Sequence, residues 1–187
     1  MELNINQQKA LLLVARRTIA DFLKIENSIG EIDLSDPVFD EKCGVFVTLH
    51  RRGNLRGCIG YIVSYSALRD AVVEMAMSSA FRDPRFMSLN RREYPDIDIE
   101  ISVLSPVEAV KDVNDIVVGR HGLIVSADGR QGLLLPQVPL EQGWGRDEFL
   151  VHTCLKAGLP GDAWRKKTTM LQCFTAQVFS EKELGMV

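Results

Sequence analysis

Ile97, Ile99, Ile101 and Val103 alternate with Asp98, Glu100 and Ser102. This is the cleanest period-2 pattern in the chain and it demands a strand with one apolar and one polar face. A second constraint sits downstream. Leu123–Ala127 and Arg130–Leu135 flank Asp128-Gly129, a two-residue loop suited to the positive φ angles of a primed hairpin turn. Gly44–His50 reads as a further strand, and Leu55–Tyr61 as its partner across the turn Arg51-Arg52-Gly53-Asn54. Met170–Phe179 supplies a last long strand. Helical spacing of apolar residues predicts helices over 6–26, capped by Asn6, over about 66–79 and over 147–157, the last stopped by Gly158. A short helical turn is expected from Asn90, with Glu93 as its reciprocal cap. Strands and helices mix without strict βαβ alternation. The fold class is therefore α+β, with a mainly antiparallel sheet and flanking helices.

The 187 residues are long enough for a core without staples and read as one domain, 1–187, with room for two sub-lobes. Apolar residues are 46% and charged residues 25%, ordinary globular values that argue against disorder. A net charge of −3 gives no global pull toward nucleic acid or anionic membrane, although a local basic face remains open. No apolar run approaches a bilayer span. The first four residues lack the order of a signal peptide, so a cytoplasmic location is expected. Cys43, Cys58, Cys154 and Cys173 are scattered, as are His50, His121 and His152. Neither a disulfide framework nor a metal site is signalled, and no cofactor is expected. A phosphate-binding glycine loop and a Gly-x-Ser-x-Gly elbow are absent from the sequence.

Leu55-Arg56-Gly57-Cys58-Ile59-Gly60 is the most unusual segment. Two glycines inside a strand point to a bulge or a close backbone approach. Glycines around a cysteine also clear space beside a thiol. Arg56 could favour the thiolate, or grip a phosphate or carboxylate. The competing reading makes Cys58 a small buried hydrophobe, with glycines that let a helix pack on the sheet.

This segment resembles the signature of the AMMECR domain family, also called AmmeMemoRadiSam system protein A. The likeness extends in order through Gly44–Leu49, Asp83-Pro84-Arg85-Phe86, Glu100–Leu104, Gly119-Arg120-His121-Gly122, Leu135-Pro136-Gln137-Val138, Gln142-Gly143-Trp144 and Lys156-Ala157-Gly158. The resemblance implies a larger α+β lobe and a smaller one, and no established activity. It also implies a genomic setting beside Memo-like proteins, which resemble extradiol dioxygenases, and radical-SAM proteins. That association suggests a role in modifying RNA or another macromolecule, which is analogy and not mechanism.

Each motif also has a plain structural use. Asp83 before Pro84 can close its own loop and Arg85 can pair with it or with a ligand. His121 can act as base, ligand or brace. Glu100 is an acid or base if its face lines a cleft, and ordinary if it meets solvent. Trp144 could stack on a base, and Arg165-Lys166-Lys167 could touch phosphates. The leading expectation is a cleft in which Cys58 is nucleophile, His121 its base and Arg56 an anion anchor. Gly57, Gly60, Asp83, Arg85 and Glu100 complete the candidate ligand-binding set. The alternative is a non-enzymatic adaptor for Memo-like or radical-SAM partners, and a third reading is an RNA-binding module.

Overall fold

The computed structural model describes residues 2–26, 29–63 and 65–186. Its elements are α1 (Ile5–Phe22), β1 (Val45–Arg51), β2 (Asn54–Tyr61), α2 (Leu68–Phe81), β3 (Ile97–Leu104), β4 (Glu108–Ala109), β5 (His121–Ala127), β6 (Arg130–Leu134), α3 (Gln137–Gln142), α4 (Arg146–Lys156) and β7 (Met170–Ser180). Every strand pair described is antiparallel, and the α+β class expected from the sequence is what forms. The chain divides into two compact units. Unit 1 holds residues 1–104 and 177–187, and unit 2 holds residues 105–176.

In unit 1 the strand order is β2-β1-β3, with the C-terminal end of β7 beside β3. Val45, Val47 and Leu49 of β1 and Ile97, Ile99, Ile101 and Val103 of β3 enter one core with Leu11, Ile19, Leu68, Val72 and Met75 of the two helices. The alternation that marked β3 is thus satisfied by helices on one face. Phe46, Thr48 and His50 of β1 lie opposite Ser102, Glu100 and Asp98 of β3 on the other face.

A buried ion pair closes this unit. Arg16 of α1 bonds both carboxylate oxygens of Glu181 and donates to the Ile97 and Tyr94 carbonyls at 2.8 and 3.2 Å. Glu181 in turn accepts the Ile99 N–H at 2.9 Å. Splitting a pair so deeply placed would strand a charge away from water, so it ties the end of the chain to β3.

Unit 2 is a smaller sheet, β6-β5-β7, with β4 on the other side of β7. Asp128 and Gly129 adopt φ of 51° and 71° at the β5–β6 turn, as the Asp-Gly pair requires. Helix α4 packs on this hairpin through Phe149, Leu150 and Cys154.

Several boundaries differ from the sequence reading. The α1 cap is Asn4, not Asn6. Its side chain accepts the Gln7 N–H at 3.0 Å while Gln7 accepts the Asn4 N–H at 2.8 Å, a reciprocal box that outcompetes a cap two residues later. The helix stops at Phe22 because Lys24 turns to a φ of 53°. Asn27 and Ser28, beyond the end expected for this helix, lie outside the described residues. Helix α3 and the two-residue β4 carry no period long enough to read from sequence.

Gly57 explains how α2 lies on the sheet. A Cβ at position 57 would collide with the Ser79 carbonyl of α2, and one at Gly60 with the Phe46 ring. Gly57→Val is expected to lower stability by at least about 2 kcal/mol. Equilibrium urea unfolding of both proteins checks this; a midpoint unchanged from wild type would show that α2 does not need the gap.

Candidate functional site

The signature segment lies on β2, at the edge of the unit 1 sheet. Leu49 pairs with Gly57 and His50 with Leu55, so the register skips Arg56. Arg56 is the extra residue of a β-bulge, which re-aims its side chain. The two features that glycines in a strand suggested, a bulge and a close approach, are both present.

The bulged Arg56 is taken up by a carboxylate. Its Nε and Nη2 each donate to Glu93 at 3.0 Å, and Nη2 also donates to the Met87 carbonyl at 2.8 Å. Its guanidinium lies over the Phe86 ring at 5.8 Å. Arg56, first among several donors, holds the Glu93 carboxyl below its ordinary pKa. The expected reciprocal cap is present as well, since Asn90 N and Nδ2 donate to Glu93 Oε2 at 3.2 and 2.8 Å.

Cys58 is held by its backbone. Its N–H donates to Asp83 Oδ2 at 2.9 Å and its carbonyl accepts from Arg85 Nη2 at 3.0 Å. Asp83 and Arg85 are themselves joined twice, through Nε–Oδ1 at 2.9 Å and Nη2–Oδ2 at 2.6 Å. The Arg85 N–H closes the loop back to Asp83 at 3.1 Å. The motif thus presents one acceptor and one donor to the open edge of β2, where a neighbouring strand would present the same pair. The Asp83 side chain is 1% exposed. Its bond to Arg85, helped by the Cys58 and Arg85 N–H groups, lowers its pKa to about 2.

The Cys58 thiol faces away from the helices. It accepts from the Thr48 hydroxyl at 3.3 Å, and Thr48 pairs with Glu100 on the next strand. Cys58, Thr48 and Glu100 therefore form a row across the polar face of the sheet. Gly60, Phe46 and Ser102 form the next row by the same registers. Burial pushes the Cys58 pKa up, outweighing the Thr48 bond and the Arg85 charge, which pull it down. A thiol in that state is a weak nucleophile at neutral pH.

His121 lies in unit 2, at the start of β5, and Cys58 in unit 1. The imidazole Nδ1 accepts the Val117 N–H at 3.1 Å. Among the described residues no cluster of three metal-ligating side chains occurs, and no helix is long and apolar enough to cross a membrane.

Sequence reasoning missed Thr48, although β1 carries the same alternation as β3 and would have placed it on the polar face. It also missed that Arg51 and Arg52 join the site. Arg51 donates to Glu93 at 3.1 Å and to Asp96 at 3.3 Å, and Arg52 donates to Asp96 at 3.2 Å. Glu93 was legible as a cap, but its second use as an arginine anchor had no local signal.

The profile of the AMMECR1 family matches residues 12–179 of this α+β chain, the latched cysteine among them, and the chain belongs to that family. Its relatives span nearly the whole chain. A protein of Methanothermobacter thermautotrophicus is 43% identical over 182 residues, covering 94% of this chain and 95% of its own. One from Methanococcoides burtonii is 45% identical, covering 97% and 92%. The crystal structure of an uncharacterized protein from Pyrococcus horikoshii superposes with a TM-score of 0.83 at 42% identity, covering 92% of this chain and 90% of that one.

Because the folded pKa of Asp83 is depressed, its contribution to stability is complete above an ordinary carboxyl pKa. It is lost as pH falls from about 4 toward about 2. The contribution is on the order of 2 kcal/mol. Asp83→Asn should unfold more easily at pH 7 and lose less further stability on acidification, as urea titrations across that range would show. Native Cys58 should also react with iodoacetamide at pH 7.5 at least about tenfold more slowly than the same thiol in the unfolded chain. Mass spectrometry of time-quenched samples reads the rate, and equal rates would show an activated thiol.

Proposed function

We propose that this protein binds RNA for a macromolecule-modification pathway, and that it does so through an arginine surface beside Cys58. The observation that carries this reading is a chain of shared contacts. Asp96 joins Arg52 to Arg51, Glu93 joins Arg51 to Arg56, and the Phe86 ring lies under both Arg56 and Arg85. Four guanidinium groups are thereby held side by side. Residues 51–56 and 82–96 together carry seven arginines, no lysine and three carboxylates, in a chain whose net charge is −3. Positive charge is concentrated here against the trend of the molecule.

Arginine suits phosphate because its planar fork donates in pairs, and a fork already fixed by carboxylates loses less freedom on binding. Arg52 is 76% and Arg85 53% exposed along the side chain, so both can reach a ligand. Arg82 and Arg92 are exposed too. Arg91 is partly committed, donating to the Leu23 carbonyl at the end of α1 at 2.6 Å. A raised thiol pKa supports binding over nucleophilic catalysis at Cys58. Its backbone latch gives Asp83 and Arg85 a positioning role, and the row through Thr48 to Glu100 supplies polar contacts next to the arginines. His121 stands outside this reading.

The adaptor reading differs in the partner. It would seat an acidic face of a Memo-like or radical-SAM protein on the same arginines. Fluorescence anisotropy with a labelled single-stranded RNA of about 20 nucleotides separates the two. Binding is expected at about 50 mM salt and should weaken steeply toward about 200 mM. Replacing both Arg52 and Arg92 by alanine should cut affinity at least about tenfold. It should also lower the log–log salt slope by about 1.4, the value for two lost contacts on a single strand. No binding at low salt, or binding indifferent to the double substitution, would overturn the proposal.

A further inference from the structure

Unit 2 contains a second arrangement that the arginine surface does not use. Strands β4 and β5 both run antiparallel to β7, from opposite sides. Glu108 and Leu123 both pair with Cys173. β4 and β5 are therefore parallel to each other, and residues 110–120 must cross back over β7 to connect them. The crossover is shaped by a short helical turn at Val113–Asp115, capped by Asp112, and by Ile116, which is buried with Leu123, Phe149 and Leu150.

The crossover ends in a tight turn built around His121. The Arg120 and His121 N–H groups donate to the Val117 carbonyl at 3.2 and 3.0 Å, and the Val117 N–H donates to His121 Nδ1 at 3.1 Å. Gly119 takes a φ of +84° to make this possible. On the other side of the histidine, a Cβ on Gly122 would collide with the Phe174 ring. Both glycines of Gly119-Arg120-His121-Gly122 thus serve to set the imidazole. With Nδ1 occupied as an acceptor, the neutral ring carries its proton on Nε2, and that N–H is its remaining polar group.

The ring lines a groove of about 290 Å³ beneath the crossover. Val110, Ile116 and Cys173 provide its apolar lining. Glu108, Asp115 and Lys111 provide charge. We infer that this groove binds a free α-amino acid with an apolar side chain. The two carboxylates match an ammonium group, Lys111 and His121 Nε2–H match a carboxylate, and the apolar lining takes a branched aliphatic side chain. The volume lies at the lower edge of the range for small-molecule pockets, which suits a ligand of this size. Opposite charges in one small groove select a zwitterion over a simple acid or amine, since either of those leaves one set of charges unmatched.

The probe is L-leucine, titrated into the full-length, isotope-labelled protein and followed by two-dimensional amide NMR. Saturable shifts are expected at residues 108–123 and 171–175 and not on β1–β3. 4-Methylpentanoate, which lacks the ammonium, and isoamylamine, which lacks the carboxylate, should each bind at least about tenfold more weakly. Lys111→Ala and Asp115→Asn change exposed side chains and leave the turn intact; each should weaken leucine by a similar factor. The inference is overturned if leucine gives no saturable shift, if the shifts lie elsewhere, or if 4-methylpentanoate binds as well as leucine. Loss of RNA binding in the arginine variant would leave this result untouched, because the two tests share no residue.

Discussion

The contact of the α2 backbone with β2 at Gly57 governs the arrangement of unit 1. A side chain there would meet the Ser79 carbonyl, so the helix can lie against the strand only while position 57 has none. With α2 in that place, Phe81 ends the helix beside β2, and the chain that follows must run along the strand's open edge. Asp83 and Arg85 then fall where they can reach the Cys58 N–H and carbonyl. Phe86 and Met87 come next and meet the bulged Arg56. The latch, the ring and the arginine network are consequences of one missing Cβ.

The latch also settles what the edge of β2 can do. An unpaired strand edge invites another strand. Here a buried carboxylate and a guanidinium occupy the backbone groups of Cys58, so the edge is closed at its centre. The same closure restrains the thiol. Arg85 lies near enough to lower the Cys58 pKa, but it is shared with Asp83, and burial prevails. A cysteine between glycines reads in sequence as a reactive thiol or as a small buried hydrophobe; here its backbone is held by Asp83 and Arg85 and burial pushes its pKa up.

Much of the fold was legible because it rests on local rules. The alternation of β3, the Asp-Gly hairpin and the Gly158 stop of α4 each follow from a few adjacent residues. The glycines of the signature also pointed to a bulge or a close approach, though not to which residue would bulge. The site was less legible. Arg56 reads as an anion anchor, yet its anion is Glu93, 37 positions away. Cys58 meets Asp83 across 25 positions. Such pairings depend on how α2 returns to the sheet, and no spacing in the sequence encodes that. His121 reads from its motif as base, ligand or brace, and the bond that its Nδ1 accepts from the Val117 N–H closes a turn over residues 117–121.

The two units share one device. In unit 1, Gly60 pairs with Phe46, and in unit 2, Gly122 pairs with Phe174. In both, the aromatic ring lies where a Cβ on its cross-strand partner would go. A ring laid over a glycine shields the strand where that residue brings no side chain of its own, and it fixes the register at that pair. It also fixes what stands beside the glycine. Cys58 is two residues before Gly60 and so shares its face; His121 is one residue before Gly122 and so takes the opposite face. Moving either strand by one residue would remove the ring from its gap and turn the polar side chain to the other side of the sheet. The glycines therefore stabilise the register on which the positions of Cys58 and His121 depend.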